Sequence, residues 1–219
     1  MKYKGIIFDL DGVICFTDQY HYQAWKEMAD GIGVYFNELI NNRLRGVSRM
    51  ASLDIILERA DREYSQEEKE YLAERKNERY KELLNRMTPE DLSDEVKQTL
   101  DTLKKTGVRL AIGSSSKNAK LILSRLGLAD YFHAVSDGNH ISHSKPDPEV
   151  FLKAAEYLGL APEECLVVED AKAGIDAAIA GGFQSAGIGE AAGHEKVAFS
   201  LESFKDLIKV CHLKLNCIT

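Results

Sequence analysis

The chain has 219 residues, of which 44% are hydrophobic and 29% are charged, and its formal net charge is -7. This length suits one α/β core with an insertion, and the composition is typical of a globular protein. A negative net charge without a long run of basic residues argues against nucleic acid as the main partner. A substrate that carries phosphate would therefore need positively charged residues at its binding site, because the net negative charge of the protein repels it.

The cysteines and the hydropathy pattern predict the cellular setting. Cys15, Cys165, Cys211 and Cys217 are scattered without CxxC spacing, so neither a zinc site nor a disulfide framework is indicated. Too few apolar residues precede Asp9 for a signal peptide, and no apolar run approaches the roughly 20 residues of a membrane span. We therefore expect a reduced, cytoplasmic protein without a membrane partner. Nothing marks an oligomer interface, so a monomer is expected by default.

The first apolar run, Gly5–Phe8, is short and rich in β-branched and aromatic residues, which predicts a buried strand. Asp9 and Asp11 follow it directly, and Gly12 supplies a turn. Both carboxylates could face a crevice at the carboxyl edge of a sheet. Two like charges this close are costly unless a cation, a proton or a substrate joins them. Taken alone, the pair is equally consistent with a solvated turn.

Helical patterns then follow one another without a strand between them. They cover residues 17–33, 50–60 and 65–86, and the last begins with a capping-box pattern from Ser65 to Glu68. We therefore predict that residues 17–87 form an all-helical cap domain inserted after the first strand. Residues 1–16 and 88–219 would form the α/β core domain.

Strand and helix patterns alternate along the rest of the chain. Strands are predicted at residues 108–113, 132–136, 166–169 and 184–188, with helices at 93–105, 117–126, 147–158, 171–180 and 203–210. Together with the first strand, this predicts a doubly wound, five-stranded parallel sheet with helices on both faces, a Rossmann-like α/β core.

Further polar groups are predicted where strands end. Ser114, Ser115 and Ser116 lie between a strand and a helix, where hydroxyls and free amide groups can bind an anion, although N-capping is the commoner reason for such serines. Lys117 and Asn118 favour the anion, because a cation in the first turn opposes the helix dipole.

Lys145 and a second acidic pair complete this set. Lys145 precedes a helix start made rigid by two prolines, and Glu169 and Asp170 close the strand at 166–169. Asp9, Asp170 and a backbone carbonyl would form a hard-oxygen site suited to magnesium, and Glu169 could hold a coordinating water. We count Asp11 with these candidate ligands. Each pair is weak on its own, but all these groups at strand ends form a specific constellation.

These residues resemble a known superfamily. Asp9-x-Asp11-Gly12, Ser114, Lys145 and Glu169-Asp170 match, in order, the four motifs of the haloacid dehalogenase superfamily of aspartyl phosphotransferases, and the resemblance covers the whole chain. The inserted helices resemble that superfamily's helical cap. Other residues look like the β-phosphoglucomutase family: His21, Trp25, Arg45, Gly46, Val47, Ser48, Arg49, Ser52, Arg75, Lys76, Asn77, Ser116, Lys117 and Asn118.

The resemblance implies roles for these residues. Asp9 would be the nucleophile and Asp11 the general acid and base, with a raised pKa, while Ser114 and Lys145 would bind the transferring phosphate. The residues expected to bind the sugar or the distal phosphate are His21, Trp25, Gly46, Val47, Ser48, Arg49, Ser52, Lys76, Ser116, Lys117 and Asn118. The implied reaction interconverts β-glucose 1-phosphate and glucose 6-phosphate, with magnesium as cofactor and glucose 1,6-bisphosphate as intermediate and activator.

Two departures and two alternatives stand beside this interpretation. Phe16 occupies a hinge position where an acidic or polar residue is expected, and Ala171 stands where the mutases have serine.

The nearest alternative is a magnesium-dependent sugar-phosphate phosphatase with the same core, and the second cationic site argues against it. A remote alternative is a phospho-accepting regulatory module without enzymatic activity, but such modules are shorter and lack a helical cap.

Overall fold

A computed structural model describes residues 2–44 and 47–211, and within them the strands form one parallel six-stranded sheet. The strands are β1 (Gly5–Phe8), β2 (Arg109–Gly113), β3 (Ala134–Ser136), β4 (Cys165–Glu169), β5 (Gln184–Gly187) and β6 (Phe199–Ser200). Their order is β3-β2-β1-β4-β5-β6, and every neighbouring pair is parallel. The strand order reverses at β1, and ligands of open α/β sheets bind beside such a point, at the carboxyl ends of the strands.

The α/β class with a parallel sheet is confirmed, but the predicted number of strands was wrong. The sixth strand, β6, has two residues, with Phe199 beside Ala186 and Ser200 beside Gly187. A segment this short has no measurable alternation of polar and apolar residues, so its pattern could not indicate a strand.

Helices occupy most of the remaining chain. Five of those described lie between β1 and β2: α1 (Asp18–Gly31), α2 (Glu38–Asn42), α3 (Arg49–Leu57), α4 (Gln66–Leu84) and α5 (Asp94–Lys105). The later ones are α6 (Ala119–Arg125), α7 (Glu149–Leu158), α8 (Lys172–Ala180) and α9 (Leu207–Val210). Short 3-10 turns cover Pro89–Asp91, Pro162–Glu164, Gly189–Gly193 and Phe204–Asp206.

Local sequence signals explain why helix α4 was predicted and helix α2 was not. The capping box at α4 is present: the amide of Glu68 donates to Ser65 Oγ at 3.2 Å, and the amide of Ser65 donates to Glu68 Oε2 at 2.9 Å. By contrast, α2 was not predicted, because a helix of five residues shows no clear period. The side chain of Asn37 caps its first turn by accepting from the amide of Ile40 at 3.0 Å.

The sheet is covered on both faces, as a doubly wound fold requires. Adjacent side chains of β1 point to opposite faces, so Phe8 joins one apolar cluster and Ile7 joins another. The Phe8 cluster includes buried residues of α5, α6 and α9, and the Ile7 cluster includes those of α7 and α8. The strand that leads to Asp9 is therefore fixed from both sides.

The helices inserted after β1 have an apolar cluster of their own. We call it the insertion cluster; its buried members are Trp25, Met28, Ala29, Val34, Phe36, Ile40, Leu44, Leu53, Ile56, Leu72 and Ala73. The carboxyl-terminal part of α4 is different, because Tyr80, Leu83 and Leu84 belong to the Phe8 cluster of the sheet. Helix α4 thus packs in both clusters.

Two further observations concern the predicted setting. No helix among residues 2–44 and 47–211 is both long enough and apolar enough to cross a membrane. Cys15, Cys165 and Cys211 are free and buried, and Cys217 lies outside the described residues.

We expect Leu53→Ala to destabilise the insertion cluster. Leu53 is fully buried, so its truncation leaves a cavity that costs about 2–5 kcal/mol. Trp25 is the chain's one tryptophan and lies in the same cluster, so its fluorescence in a urea titration should show a lower midpoint. Leu39→Ala is the matched control, because Leu39 is 75% exposed and its loss should change stability by less than about 0.5 kcal/mol. An unchanged midpoint for Leu53→Ala would contradict the prediction.

Candidate active site

A cavity of about 510 Å³ lies between the carboxyl edge of the sheet and the inserted helices. Every predicted site residue within the described part of the chain lines it: Asp9, Asp11, His21, Trp25, Val47, Ser48, Arg49, Ser52, Lys76, Ser114, Ser116, Lys117, Asn118, Lys145, Glu169 and Asp170. Gly46, predicted with them, lies outside the described residues. The cavity thus brings together residues that are far apart in the chain.

A buried lysine is paired with two carboxylates in this cavity. Lys145 Nζ lies 2.5 Å from Asp9 Oδ1 and 2.6 Å from Glu169 Oε1. The Lys145 side chain is 3% exposed, and burial alone would lower its pKa. The charges of Asp9 and Glu169 outweigh that effect and raise the pKa, so Lys145 stays protonated. It places a fixed positive charge beside the predicted nucleophile.

Three carboxylates crowd at the same place. Oxygen atoms of Asp9, Glu169 and Asp170 lie within 4.8 Å of one another. Burial and the neighbouring carboxylates raise the pKa of Asp9 to about 7 and that of Asp170 to about 8, although Lys145 opposes both shifts. Two buried carboxylates and one half-buried carboxylate, whose charges are not balanced by one lysine, fit a hard divalent cation such as Mg²⁺.

Glycines provide the space that these carboxylates occupy. A Cβ at Gly174, near the start of α8, would overlap the Glu169 carboxylate, and a Cβ at Gly12 would overlap that of Asp170. Gly12 also has a φ of +84°, which side-chain-bearing residues rarely adopt. Glycine is therefore required at both positions by the shape of the acidic site.

The carboxylate of Asp11 has other partners. It accepts a hydrogen bond from the Thr17 hydroxyl, which in turn accepts from the Tyr80 hydroxyl at 3.0 Å. It is not one of the three carboxylates whose oxygens lie within 4.8 Å of one another, so a role for Asp11 as a metal ligand stays a prediction. Burial raises the pKa of Asp11 to about 6, although the bond from Thr17 lowers it. The direction agrees with the expectation for a general acid and base.

A second buried lysine lies on the side of the inserted helices. Lys76 Nζ is 3.0 Å from His21 Nδ1 and 4.6 Å from the ring centres of both Trp25 and Tyr80. Burial, with the charge of Arg49, lowers the pKa of Lys76 to about 7. Burial and the charge of Lys76 lower the pKa of His21 well below its usual range. A neutral His21 can therefore accept a hydrogen bond from Lys76.

The predicted distal-phosphate residues, Arg49, Ser116, Lys117 and Asn118, form a group that we call the distal group. The amide of Ser116 donates to Ser114 Oγ and the amide of Asn118 to Ser116 Oγ, both at 3.2 Å. These serine hydroxyls hold a turn that delays the start of α6 to Ala119, two residues after the predicted start. Arg49 lies at the start of α3, so the group combines residues from the core and from the insertion.

Sequence reasoning missed the residues that support this turn. The amide of Gly138 donates to the Ser116 carbonyl at 3.2 Å, and Asn139 Nδ2 donates to the Lys117 carbonyl at 3.0 Å. Asp137 is fully buried and holds Asn139 by accepting from its amide at 2.9 Å. The Asp-Gly-Asn sequence after β3 indicates a turn, but nothing in it indicates which loop that turn supports.

Several remaining residues have structural contacts of their own. Ser48 caps α3 by accepting from the amide of Ala51 at 3.3 Å, so its hydroxyl already has a structural partner. Phe16, which stands at the predicted hinge position, is 72% exposed. Ala171 lines the cavity, and its amide donates to Glu169 Oε2 at 2.7 Å. A main-chain group thus holds Glu169 at the position where the family's serine is absent.

The chain resembles known proteins over most of its length. Residues 3–182 match the haloacid dehalogenase-like hydrolase family. The chain is 43% identical over 189 residues to a β-phosphoglucomutase of Bacillus subtilis, which covers 85% of this chain and 84% of that protein. A crystal structure of β-phosphoglucomutase from Clostridium difficile superposes with a TM-score of 0.89 at 37% identity, covering 96% of each chain. A fructose-1-phosphate phosphatase of Escherichia coli is 35% identical over 84% of this chain and 95% of its own length.

The chain belongs to the haloacid dehalogenase-like hydrolase family. It is an enzyme, and its relatives place it among the members that transfer phosphoryl groups.

We expect Gly174→Ala to weaken divalent-cation binding about 10- to 100-fold, because the new methyl group displaces Glu169, which is held by Lys145. Thermal unfolding at increasing Mg²⁺ concentration measures the affinity. Gly31→Ala is the control, since a Cβ at Gly31 meets no atom within 4 Å. Equal cation affinities for the two variants would show that Glu169 tolerates the displacement.

We expect Asp170→Asn to stabilise the metal-free protein at alkaline pH. The native pKa of Asp170, about 8, lies above the usual value of about 3.9, so the native state binds more protons than the unfolded state between these values. Wild-type stability should therefore fall as the pH rises from about 4 to about 8, and asparagine removes this penalty.

Urea unfolding in EDTA at about pH 5 and about pH 9 measures the effect, and the advantage of Asp170→Asn should be larger at the higher pH. Adding Mg²⁺ should stabilise the wild type more than the variant, which lacks one carboxylate of the site. A pH-independent difference between the two proteins would contradict the prediction.

Proposed function

We propose that this enzyme is a mutase that interconverts β-glucose 1-phosphate and glucose 6-phosphate through a phosphorylated Asp9 and glucose 1,6-bisphosphate. The observation that carries the proposal is the distal group in the same cavity as the acidic site. A phosphatase needs to bind one phosphate, whereas a mutase must hold a bisphosphate by both of its phosphates. The 43% identity to a β-phosphoglucomutase supports the same assignment.

In the first transfer, phosphorylated Asp9 donates its phosphoryl group to the 6-hydroxyl of β-glucose 1-phosphate. The bond between phosphorus and the Asp9 oxygen breaks as the bond to the sugar oxygen forms. Asp11 takes the hydroxyl proton, for which its carboxylate must be ionised; a pKa near 6 allows this at neutral pH. The product is the bisphosphate, with Asp9 returned to its free carboxylate.

In the second transfer, the bisphosphate turns end for end and Asp9 attacks the phosphorus at C1. The bond to the C1 oxygen breaks, and Asp11 returns its proton to that oxygen, giving glucose 6-phosphate and phosphorylated Asp9. Lys145, held 2.5 Å from Asp9, reduces the repulsion between the nucleophile and the incoming phosphate. Ser114 would hydrogen-bond the oxygens of the transferring group.

Magnesium is the cofactor that the acidic site supports best. Asp9 and Asp170 would bind the ion, together with a backbone carbonyl, and Glu169 would act directly or through a water. When bound, Mg²⁺ supplies positive charge that offsets the repulsion between these carboxylates and the phosphate. The carboxylate of Asp11 would stay with Thr17 and remain available for proton transfer.

We propose that residues 17–87 act as a cap domain over the core. Its separate insertion cluster and the position of the cavity beneath the inserted helices support this division. A closed cap would keep water from phosphorylated Asp9, and opening would let the bisphosphate turn. Lys76 and His21, both contributed by the inserted helices, would help to close the cap and to position Asp11.

A sugar-phosphate phosphatase is the second candidate, because relatives with that activity also match. Besides the E. coli protein, a phosphorylated carbohydrates phosphatase of Thermotoga maritima is 31% identical over 83% of this chain and 82% of its own length. In such an enzyme water, rather than a sugar hydroxyl, takes the phosphoryl group from Asp9. The acidic site alone suits both reactions.

A coupled assay on β-glucose 1-phosphate with Mg²⁺ separates the two candidates. We expect glucose 6-phosphate to form faster when a trace of glucose 1,6-bisphosphate is added, with little release of inorganic phosphate. Asp9→Asn should abolish turnover, and Arg49→Ala should raise the KM for the bisphosphate because a bidentate phosphate contact is lost. Inorganic phosphate as the main product would overturn the mutase assignment in favour of the phosphatase.

A further inference from the structure

An acidic side chain, Glu74, lies beside the distal group, where a phosphate is proposed to bind. Glu74 Oε2 is 3.4 Å from Arg49 Nη1, and its other oxygen accepts from Asn77 Nδ2 at 3.2 Å. Asn77 Oδ1 accepts in turn from Asn118 Nδ2 at 3.0 Å. The chain of contacts from Arg49 to Asn118 therefore passes through Glu74 and Asn77, and all four residues line the cavity.

This arrangement is unfavourable for phosphate binding unless Glu74 moves. A carboxylate beside a phosphate repels it, and Arg49 cannot present its full guanidinium to a phosphate while it is paired with Glu74. Without a ligand, however, Arg49 is mostly buried and needs a counter-charge. Burial lowers its pKa, and the charges of Glu74 and Glu78 oppose that shift. Glu74 is thus favourable in the empty site and unfavourable in the filled one.

The solvent exposure of the Glu74–Arg49 ion pair allows Arg49 to exchange the Glu74 carboxylate for a phosphate. The Glu74 side chain is 59% exposed and that of Arg49 is 24% exposed, so the carboxylate can turn into solvent without being buried unpaired. Half-exposed ion pairs of this kind contribute little to stability, and a phosphate with two charge-assisted bonds to Arg49 outcompetes such a partner. Asn77, which is 5% exposed, can keep its bond from Asn118, and the departure of Glu74 frees its Nδ2 donor for the phosphate.

We propose that Glu74 is a placeholder anion for the distal phosphate: it holds Arg49 in the empty site and is displaced when the phosphate binds. It thereby sets the affinity for that phosphate. This inference rests on the proposed function, because it takes Arg49 as a ligand of the distal phosphate. It adds a residue of the distal site that opposes phosphate binding, so its removal strengthens binding.

The test measures inorganic phosphate binding by calorimetry in EDTA. Without a divalent cation, the carboxylates near Asp9 repel phosphate from the acidic site, so binding reports the distal group. Glu74→Gln should bind phosphate about two- to fivefold more tightly than the wild type, the range that such an ion pair supplies. Glu70→Gln is the matched control: Glu70 lines the same cavity one turn earlier on α4, where it accepts from Gln66 at 2.8 Å. It should show a clearly smaller change.

A double-mutant cycle with Arg49→Ala separates the placeholder from a general field effect and from failure of the site. In the Arg49→Ala background, Glu74→Gln should no longer tighten phosphate binding. If Glu74→Gln and Glu70→Gln act alike, or if the effect of Glu74→Gln persists without Arg49, the placeholder role is overturned while the distal site stands. If Arg49→Ala leaves phosphate affinity unchanged, both the placeholder role and the distal site are overturned.

Discussion

The contact of Lys145 with Asp9 and Glu169 is the constraint on which the rest of the site depends. Carboxylates this close would repel one another in a buried crevice, and the lysine joins two of them within 2.6 Å. Its position requires the end of β1, the end of β4 and the loop before α7 to meet at one edge of the sheet. The sheet order brings these segments together, and glycines at positions 12 and 174 leave room for the carboxylates.

The sequence was most informative where local chemistry and chain position coincide. The apolar run before Asp9, the capping box at Ser65 and the acidic pair at the end of β4 each have a local signature, and each lies where it was predicted. Strand ends that carry polar residues converge in a parallel sheet, so the core part of the candidate site followed from the pattern. Lys76 shows the limit: in the sequence it has the surroundings of an exposed helix face, yet it is 3% exposed, and only the family resemblance had favoured it.

The remaining features depend on contacts that no local pattern encodes. Helix α2 and strand β6 are too short to have a period; Ile40 packs α2 into the insertion cluster, and β6 pairs with β5. Thr17 and Tyr80 act on Asp11 through hydrogen bonds that cross from the first loop to the end of α4. Asp137 supports the turn at Lys117 from a different loop. Such relations are set by packing of the whole chain, so they become visible only in three dimensions.

Helix α4 connects the inserted helices to the core domain. Its carboxyl-terminal part is anchored by Leu83 and Leu84 in the Phe8 cluster, and its amino-terminal part carries the insertion cluster through Leu72 and Ala73. Lys76 lies between these anchors and faces His21. A small tilt of α4 about its anchored end would therefore move Lys76 together with Glu74 and Asn77, which contact the distal group. Proton transfer at Asp11 and binding of the distal phosphate would then occur together, because both depend on the position of one helix.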